Sequence, residues 1–182
     1  MLTLETRRLR LIALTRDQLA LLLDQPAALE PALGCAVSRA VLTDRVRRAL
    51  QMKLAKLERA EPERHPWFTY WLIVVRARSF GAGLAGFKGF PDSAGAAEIG
   101  YGIDPAFQNQ GYTTEAVQAL LAWAFAEPAC RSVVAPATLK TNPASERVLA
   151  KLGLSVYAET ETSRSWRLER EHFRNRSAGP AA

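Results

Sequence analysis

Cysteine is scarce in this 182-residue chain. Cys35 and Cys130 stand far apart, outside any metal-like or redox-like spacing, so neither a disulfide framework nor a thiolate metal site is expected. Two idle or buried thiols in a reduced, cytoplasmic compartment are the simpler reading. Histidine is equally rare. His65 precedes Pro66 in a loop and His172 lies in a charged C-terminal stretch, so both are poor candidates for catalysis, and no metal is expected. Long apolar runs are missing as well. The opening stretch MLTLETRRLRL has no apolar signal core and no run reaches bilayer length, which argues against export and against a membrane partner. Internal repeats and linkers are also absent. The length suits one domain with a full hydrophobic core, expected over residues 1–176, followed by a flexible tail at 177–182.

Positive charge is what the chain has in excess, with a formal net charge of +6 and arginine well ahead of lysine. The arginines gather in DRVRRAL and RSWRLEREHFRNR. Such clusters suit nucleic acid, an acidic partner or a polyanionic cofactor. Acidic residues (Asp44, Glu169, Glu171) interrupt them, so a solvated basic face is favoured and nucleic acid is not expected as a partner.

The order of elements is legible from periodicity. RRLRLIAL reads as a first strand, and TRDQ as a capping box (Thr15 with Gln18) opening a helix that runs to Asp24. A second helix is expected over about 44–60, with Val46, Leu50, Leu54 and Leu57 on one face. The segment between them reads as loop or irregular helix. WFTYWLIVV, LAGFKGF and AAEIGYGI read as strands, the last two separated by a PDSAG turn. A helix over about 111–126, the strand RSVVAPATL, the helix NPASERVLAKLG and the strands LSVYAETE and RSWRLER complete the chain. The result is an α+β chain around one mixed sheet.

GAGLAG, at 81–86, has the spacing of a dinucleotide-binding fingerprint, and Asp104 lies near the distance of a ribose-binding acid. That motif must open a helix. Here glycines, a proline and another strand follow. Gly81 and Gly83 are therefore expected to shape a hairpin turn.

QNQGYTTEA, at 108–116, is a better anion site. It places Gly111 where a helix begins, and a glycine there serves either a turn with positive φ or a backbone that must approach an anion. The surrounding AEIGYGIDPAFQNQGYTTEAVQALLAWAF resembles motif A of the GNAT (GCN5-related) acetyltransferases, in the branch of the ribosomal-protein acetyltransferases RimJ and RimL. The family pattern Gln/Arg-x-x-Gly-x-Gly/Ala is met by Gln108 and Gly111, with Thr113 as a departure in the small-residue slot. NPASERVLAKLGL resembles motif B, with Asn142, Ser145 and Gly153. The element order resembles the GNAT fold over about residues 4–170. The resemblance implies a single, mostly antiparallel central sheet flanked by helices and splayed between the family's fourth and fifth strands. It also gives Pro136 an unpaired edge, the other reading being a bulge.

The resemblance further implies acetyl-CoA as cosubstrate. Its pyrophosphate would lie on the backbone N–H groups of Asn109, Gln110, Gly111, Tyr112, Thr113 and Thr114, with Gln108 bracing the loop. It implies a main-chain oxyanion donor at Ile103 and a contact from Asn142, also a helix cap, to the pantetheine arm.

Amide formation from a thioester also needs an unprotonated amine and a proton for the departing thiolate. Glu98 is the best base candidate. Strand alternation places it on one face with Gly100, Gly102 and Asp104, although a solvated glutamate or a role in the fold competes. Many relatives carry a tyrosine acid on the motif B helix; Leu149 occupies that position here. Ser145 is then the natural hydroxyl near sulfur, its competing role being an ordinary residue of a helix start. Trp67, Phe68, Tyr70 and Trp71 could line the acceptor pocket, although an aromatic strand is more often core. Gly102, where the branch often has a bulky residue, would widen the acceptor site.

The expected function is an acetyl-CoA-dependent N-acetyltransferase acting on a protein N-terminus or small-molecule amine, as a monomer or homodimer. A non-catalytic acyl-CoA-binding sensor or interaction module is the rival reading.

Overall fold

Strand pairing organises the chain into two units, and the computed structural model describes residues 1–177. The first unit contains Met1–Phe90 and Gly100–Ala119; the second contains Pro91–Ile99 and the chain from Leu120 onward. Strand β6 (Ala96–Ile103) and helix α5 (Tyr112–Ala126) each pass from one unit into the other.

In the first unit, β1 (Thr3–Glu5) pairs antiparallel with β2 (Leu9–Ala13), β2 with β4 (Trp71–Val75), and β4 with β5 (Phe80–Phe87). The short β3 (Ala36–Val37) runs parallel to β5, and the C-terminal half of β6 (Ala96–Ile103) borders β5 on its other side. Helix α1 (Arg16–Asp24) begins with the expected capping box: Thr15 accepts from the Gln18 N–H, and Gln18 accepts from the Thr15 N–H. Helices α2 (Pro26–Leu33) and α3 (Asp44–Leu57) complete the layer that covers these strands. Leu19, Leu22, Leu29 and Leu50 are fully buried against Leu72, Val74 and Leu84, and each fully buried leucine contributes about 1.5–3 kcal/mol.

In the second unit, β6 pairs parallel with β7 (Ser132–Leu139), β7 antiparallel with β9 (Ser163–Glu169), and β9 antiparallel with β8 (Ser155–Glu159). Helix α6 (Pro143–Lys151) lies between β7 and β8 in sequence, and α7 (Arg170–Ser177) closes the described chain. The Arg170 guanidinium donates to the carbonyls of Glu127, Pro128 and Cys130, which finishes the C-terminal end of α5 (Tyr112–Ala126). The mixed, mostly antiparallel open sheet flanked by helices is the one expected from the sequence.

The ladder between β6 and β7 has three register pairs, ending at Glu98↔Val134, although both strands continue. Just past it, β7 bulges against β9 between Ala135 and Thr138, and Ala137 takes a positive φ of 53°. Pro136 sits in this bulge, beyond the β6 ladder, where its missing N–H forfeits no ladder bond.

Several local expectations are corrected. Gly81 and Gly83 make no hairpin turn; they lie inside β5, and the turn is a 3₁₀ segment, Arg76–Arg78, closed by Ser79 at φ 44°. A Cβ at Gly83 would stand 2.6 Å from the Gly102 carbonyl oxygen, so close strand approach is what requires glycine there. Trp67 and Phe68 belong to a helical turn, α4 (His65–Phe68), in which Pro66 is tolerated because the first turn needs no N–H. The loop-like segment after α1 is α2, with Pro26 in its first turn, Leu29 and Leu33 buried, and Gly34 as a left-handed C-cap at φ 64°. Helix α3 stops at Leu57, short of residue 60. Ser177, the first residue of the expected tail, ends α7; residues 178–182 lie outside the described residues.

Candidate active site

Motif A begins where β6 ends. Asp104 terminates the strand: its carboxylate accepts from the Ser38 hydroxyl at 2.5 Å and from the Ala106 N–H at 2.8 Å. Its N–H donates to the Ala82 carbonyl at 2.8 Å. Asp104 is thus an anchor and not a ribose ligand. A 3₁₀ turn, Pro105–Phe107, follows, and Phe107 is buried, with its ring stacked 5.3 Å from Phe80. The turn carries the chain into the exposed residues Gln108–Gly111.

Two residues of this loop have positive φ, Asn109 at 58° and Gly111 at 78°. Gly111 therefore does satisfy a left-handed backbone. Glu115 N–H makes the first helical bond of α5, to the Gly111 carbonyl at 3.1 Å. The N–H groups of Asn109, Gln110, Gly111, Tyr112, Thr113 and Thr114 meet no acceptor among the described residues. Six consecutive N–H groups without an internal acceptor, at the start of a 15-residue helix with its dipole behind them, are the chemistry that an anion site requires. Gln110 is tied back through its side-chain nitrogen to the Ala106 carbonyl at 3.0 Å.

Sequence reasoning missed what braces this loop. Glu115, in the first turn of α5, accepts from the Thr6 hydroxyl (2.6 Å), the Arg8 N–H (2.9 Å) and Arg8 Nε (2.6 Å). Despite partial burial, which acts to raise it, these bonds hold the Glu115 carboxyl below its ordinary value. The signal was available in sequence only as a glutamate in a helical first turn and an arginine far upstream.

The other candidates in the first unit are Ile103 and the glycines of β6. Ile103 is half-buried at the strand end, beside Gly83. A Cβ on Gly100 or Gly102 would meet nothing within 4 Å, so the face of β6 carrying them is open. Trp67 and Trp71 are core residues: Trp71 is fully buried, and Trp67 packs 4.9 Å from Phe87 and 5.5 Å from Phe90. Phe68 and Tyr70 are half-buried against a different cluster, that of Leu50, Leu72, Val74 and Leu84.

The second unit holds Glu98, Asn142 and Ser145. Glu98 is half-buried at the last register pair of β6 with β7. Asn142 is the N-cap of α6, its Oδ1 accepting from the Ser145 N–H at 3.1 Å, with Pro143 at the first helical position. That cap leaves the Asn142 side-chain nitrogen available to a ligand. Ser145 is half-buried in the first turn. The helix start is fixed from the next position, where Glu146 pairs with Arg164 at 3.0 Å; Arg164 also meets Glu159 at 3.4 Å, and Lys140 reaches Glu159 at 2.6 Å. Lys140 and Arg164 hold the Glu159 carboxyl below its usual range. Leu149, in the position where relatives carry a tyrosine, is fully buried. Gly153 ends the helix region at φ 86°.

Among the described residues no group of three metal-ligating side chains occurs, and no helix is long and apolar enough to cross a membrane.

Comparison with known proteins identifies the family. The model of the acetyltransferase (GNAT) domain matches residues 8–155. A Bacillus subtilis (strain 168) protein named uncharacterized N-acetyltransferase YjdG is 30% identical over 99 residues; the match covers 54% of this chain and 58% of that protein. The chain therefore spans little more than half the length of that curated relative. The ribosomal-protein-S5-alanine acetyltransferase from Vibrio fischeri superposes with a TM-score of 0.66 at 18% identity, covering 95% of this chain and 99% of the other. RimL, a ribosomal L7/L12 alpha-N-protein acetyltransferase solved with coenzyme A, superposes with a TM-score of 0.65 at 18% identity, covering 94% and 99%. At those identities the superpositions speak for the fold, and the family match spans most of the sequence. The chain belongs to the GNAT acetyltransferase family.

Proposed function

We propose that this protein is an acetyl-CoA-dependent N-acetyltransferase that moves an acetyl group to a primary amine, a protein N-terminus or a small-molecule amine. The observation that carries this reading is the row of amides without an internal acceptor from Asn109 to Thr114 at the start of α5, in a chain of this family. A pyrophosphate supplies oxygens for such N–H groups, and hydrogen bonds to a charged acceptor contribute about 1.5–3 kcal/mol each. Gln108 would brace the loop, and Thr113 can add a hydroxyl toward a phosphate oxygen. Residues 1–176 are proposed to serve as a single N-acetyltransferase domain.

In this mechanism the amine nitrogen attacks the thioester carbonyl carbon. The C–N bond forms, negative charge grows on the carbonyl oxygen, and main chain at Ile103 stabilises it. Collapse of the adduct breaks the C–S bond. Glu98, directly or through water, removes a proton from the amine; the Ser145 hydroxyl gives its proton to the departing thiolate and takes back, through water, the proton that Glu98 removed. Asn142 can hold the pantetheine arm with the side-chain nitrogen that its cap leaves available. With Leu149 buried and apolar, the proton for the thiolate must come from elsewhere, which supports Ser145. A RimJ/RimL-like branch is favoured by the ribosomal-protein acetyltransferases among the structural neighbours, and protein N-termini follow as the first acceptors to try.

The test is an acetyl-CoA turnover screen over N-terminal peptides, polyamines and aminoglycosides, read by release of the free thiol. Amine-dependent release supports the proposal. Tight CoA binding with no release on any amine would favour a non-catalytic acyl-CoA sensor.

A further inference from the structure

The clasp on motif A does more than fix a helix. Arg8 makes three separate approaches to it. Its Nε meets Glu115 at 2.6 Å, its Nη1 donates to the Gln110 carbonyl at 2.9 Å, and its Nη2 lies 3.2 Å from where a Gly111 Cβ would stand. The guanidinium also lies over the Tyr112 ring, 4.6 Å from its centre. One side chain thus touches the residues before, at and after the glycine of the loop. The bond to the Gln110 carbonyl directs that oxygen toward Arg8, which suits amides that face the other way.

Charge gives the arrangement a second consequence. A carboxylate in the first turn of a helix is normally favourable, because it answers the positive end of the dipole. At an anion site it competes with the ligand for that same positive end. Glu115 is held ionised by Thr6 and Arg8, so a bound anion would meet a fixed negative charge unless something cancelled it. Arg8 is the group that does so, while remaining about a third exposed and able to act outward. The lack of a side chain at Gly111 is therefore used twice, by the left-handed backbone and by the guanidinium lying against it.

Resting on the reading of 109–114 as a pyrophosphate site, we propose that Arg8 is a positioning residue for that site: it neutralises Glu115 and pins Gln110 so that the amide row faces the phosphates. A merely structural ion pair would respond equally to loss of either partner. The charge account predicts an asymmetry. Arg8→Gln leaves an uncompensated carboxylate beside the ligand and should weaken CoA binding about tenfold or more, the scale of one charged hydrogen bond. Glu115→Gln breaks the same pair but leaves an arginine facing the ligand, so CoA affinity should stay within about twofold of wild type or improve.

The experiment is calorimetric titration of the folded variants with CoA and with pantetheine, which lacks the pyrophosphate, alongside steady-state kinetics with acetyl-CoA. Arg8→Gln should shrink the preference for CoA over pantetheine and raise the Michaelis constant more than it lowers the turnover number. Equal losses of CoA affinity in both variants, or an unchanged affinity in Arg8→Gln, would overturn the inference. If Arg8→Gln does not fold, Glu115→Gln decides alone, and a tenfold loss of CoA affinity there overturns it. Wild-type protein that fails to bind CoA would remove the site reading itself; wild-type binding with equal losses in the variants removes only the role given to Arg8.

Discussion

Replacing Gly111 by valine probes two demands that the loop makes on one residue. The first is conformational. At φ 78° a β-branched residue is strained, and a non-glycine residue held in that region costs about 1–3 kcal/mol. For a protein of this size each kcal/mol lowers Tm by about 2–4 °C, so a fall of roughly 2–12 °C is expected with the fold retained. The new Cβ would stand 3.2 Å from Arg8 Nη2, the mobile end of a side chain, so that contact can relax. The second demand is ligand approach. Any shift of φ rotates the Tyr112 and Thr113 amides away from the phosphates, and losing one charged hydrogen bond costs about 1.5–3 kcal/mol, or roughly ten- to hundredfold in Kd. Calorimetric titration of folded Gly111→Val with CoA should therefore show at least a tenfold loss. Gly111→Asn, which tolerates a left-handed backbone, should recover most of the Tm. Unchanged CoA affinity in Gly111→Val would refute the pyrophosphate assignment, and an unchanged Tm would refute the strain argument.

Ser145→Ala should lower the turnover number more than it alters the Michaelis constant for acetyl-CoA, because a bond to the departing thiolate strengthens in the transition state; stopped-flow thiol release measures both. Gly102→Trp, on an open strand face, should suppress turnover of the bulkiest accepted amine while sparing CoA affinity and the smallest amine, as a comparison of kcat/KM across acceptors would show. Lys53 is buried in the first unit and donates to the carbonyls of Phe68, Thr69 and Phe87, with Tyr70 beneath it; Lys53→Met should cost about 1–3 kcal/mol by denaturant melts, through carbonyls left unpaired. Burial pushes Lys53 down from 10.5 to about 7. The unfolded chain therefore holds that proton more tightly, and wild-type stability should rise from about pH 7 toward pH 10 by up to about 1.4 kcal/mol per unit, a slope that Lys53→Met loses.

Much of this molecule was readable in order but not in detail. The capping box at Thr15 and Gln18 acts within four residues, so the sequence displays it complete, and the same holds for Asn142 with Pro143. Helix α2 was obscured because Pro31 interrupts a pattern whose first-turn Pro26 and C-cap Gly34 were both in view. The glycines of GAGLAG misled because their cause is tertiary: Gly83 faces the Gly102 carbonyl, a strand neighbour no local window contains. At the site, local pattern marks Gly111, since a helix start and its preceding loop are contiguous, and the resemblance points to the amide row. Both missed Thr6 and Arg8, whose partner Glu115 lies more than a hundred positions away. Resemblance to the family supplied Ile103 and Ser145, and strand alternation supplied Glu98; their proposed roles depend on a ligand and not on local structure.

The most direct test is to incubate the protein with acetyl-CoA carrying an isotopically labelled acetyl group and each candidate amine, then locate the label by mass spectrometry. The account predicts labelled acetyl on the amine nitrogen of at least one acceptor, in step with the free CoA thiol released and abolished when the amine is omitted. CoA binding with the label left on the thioester for every amine, or thiol release without any acetylated amine, would contradict it.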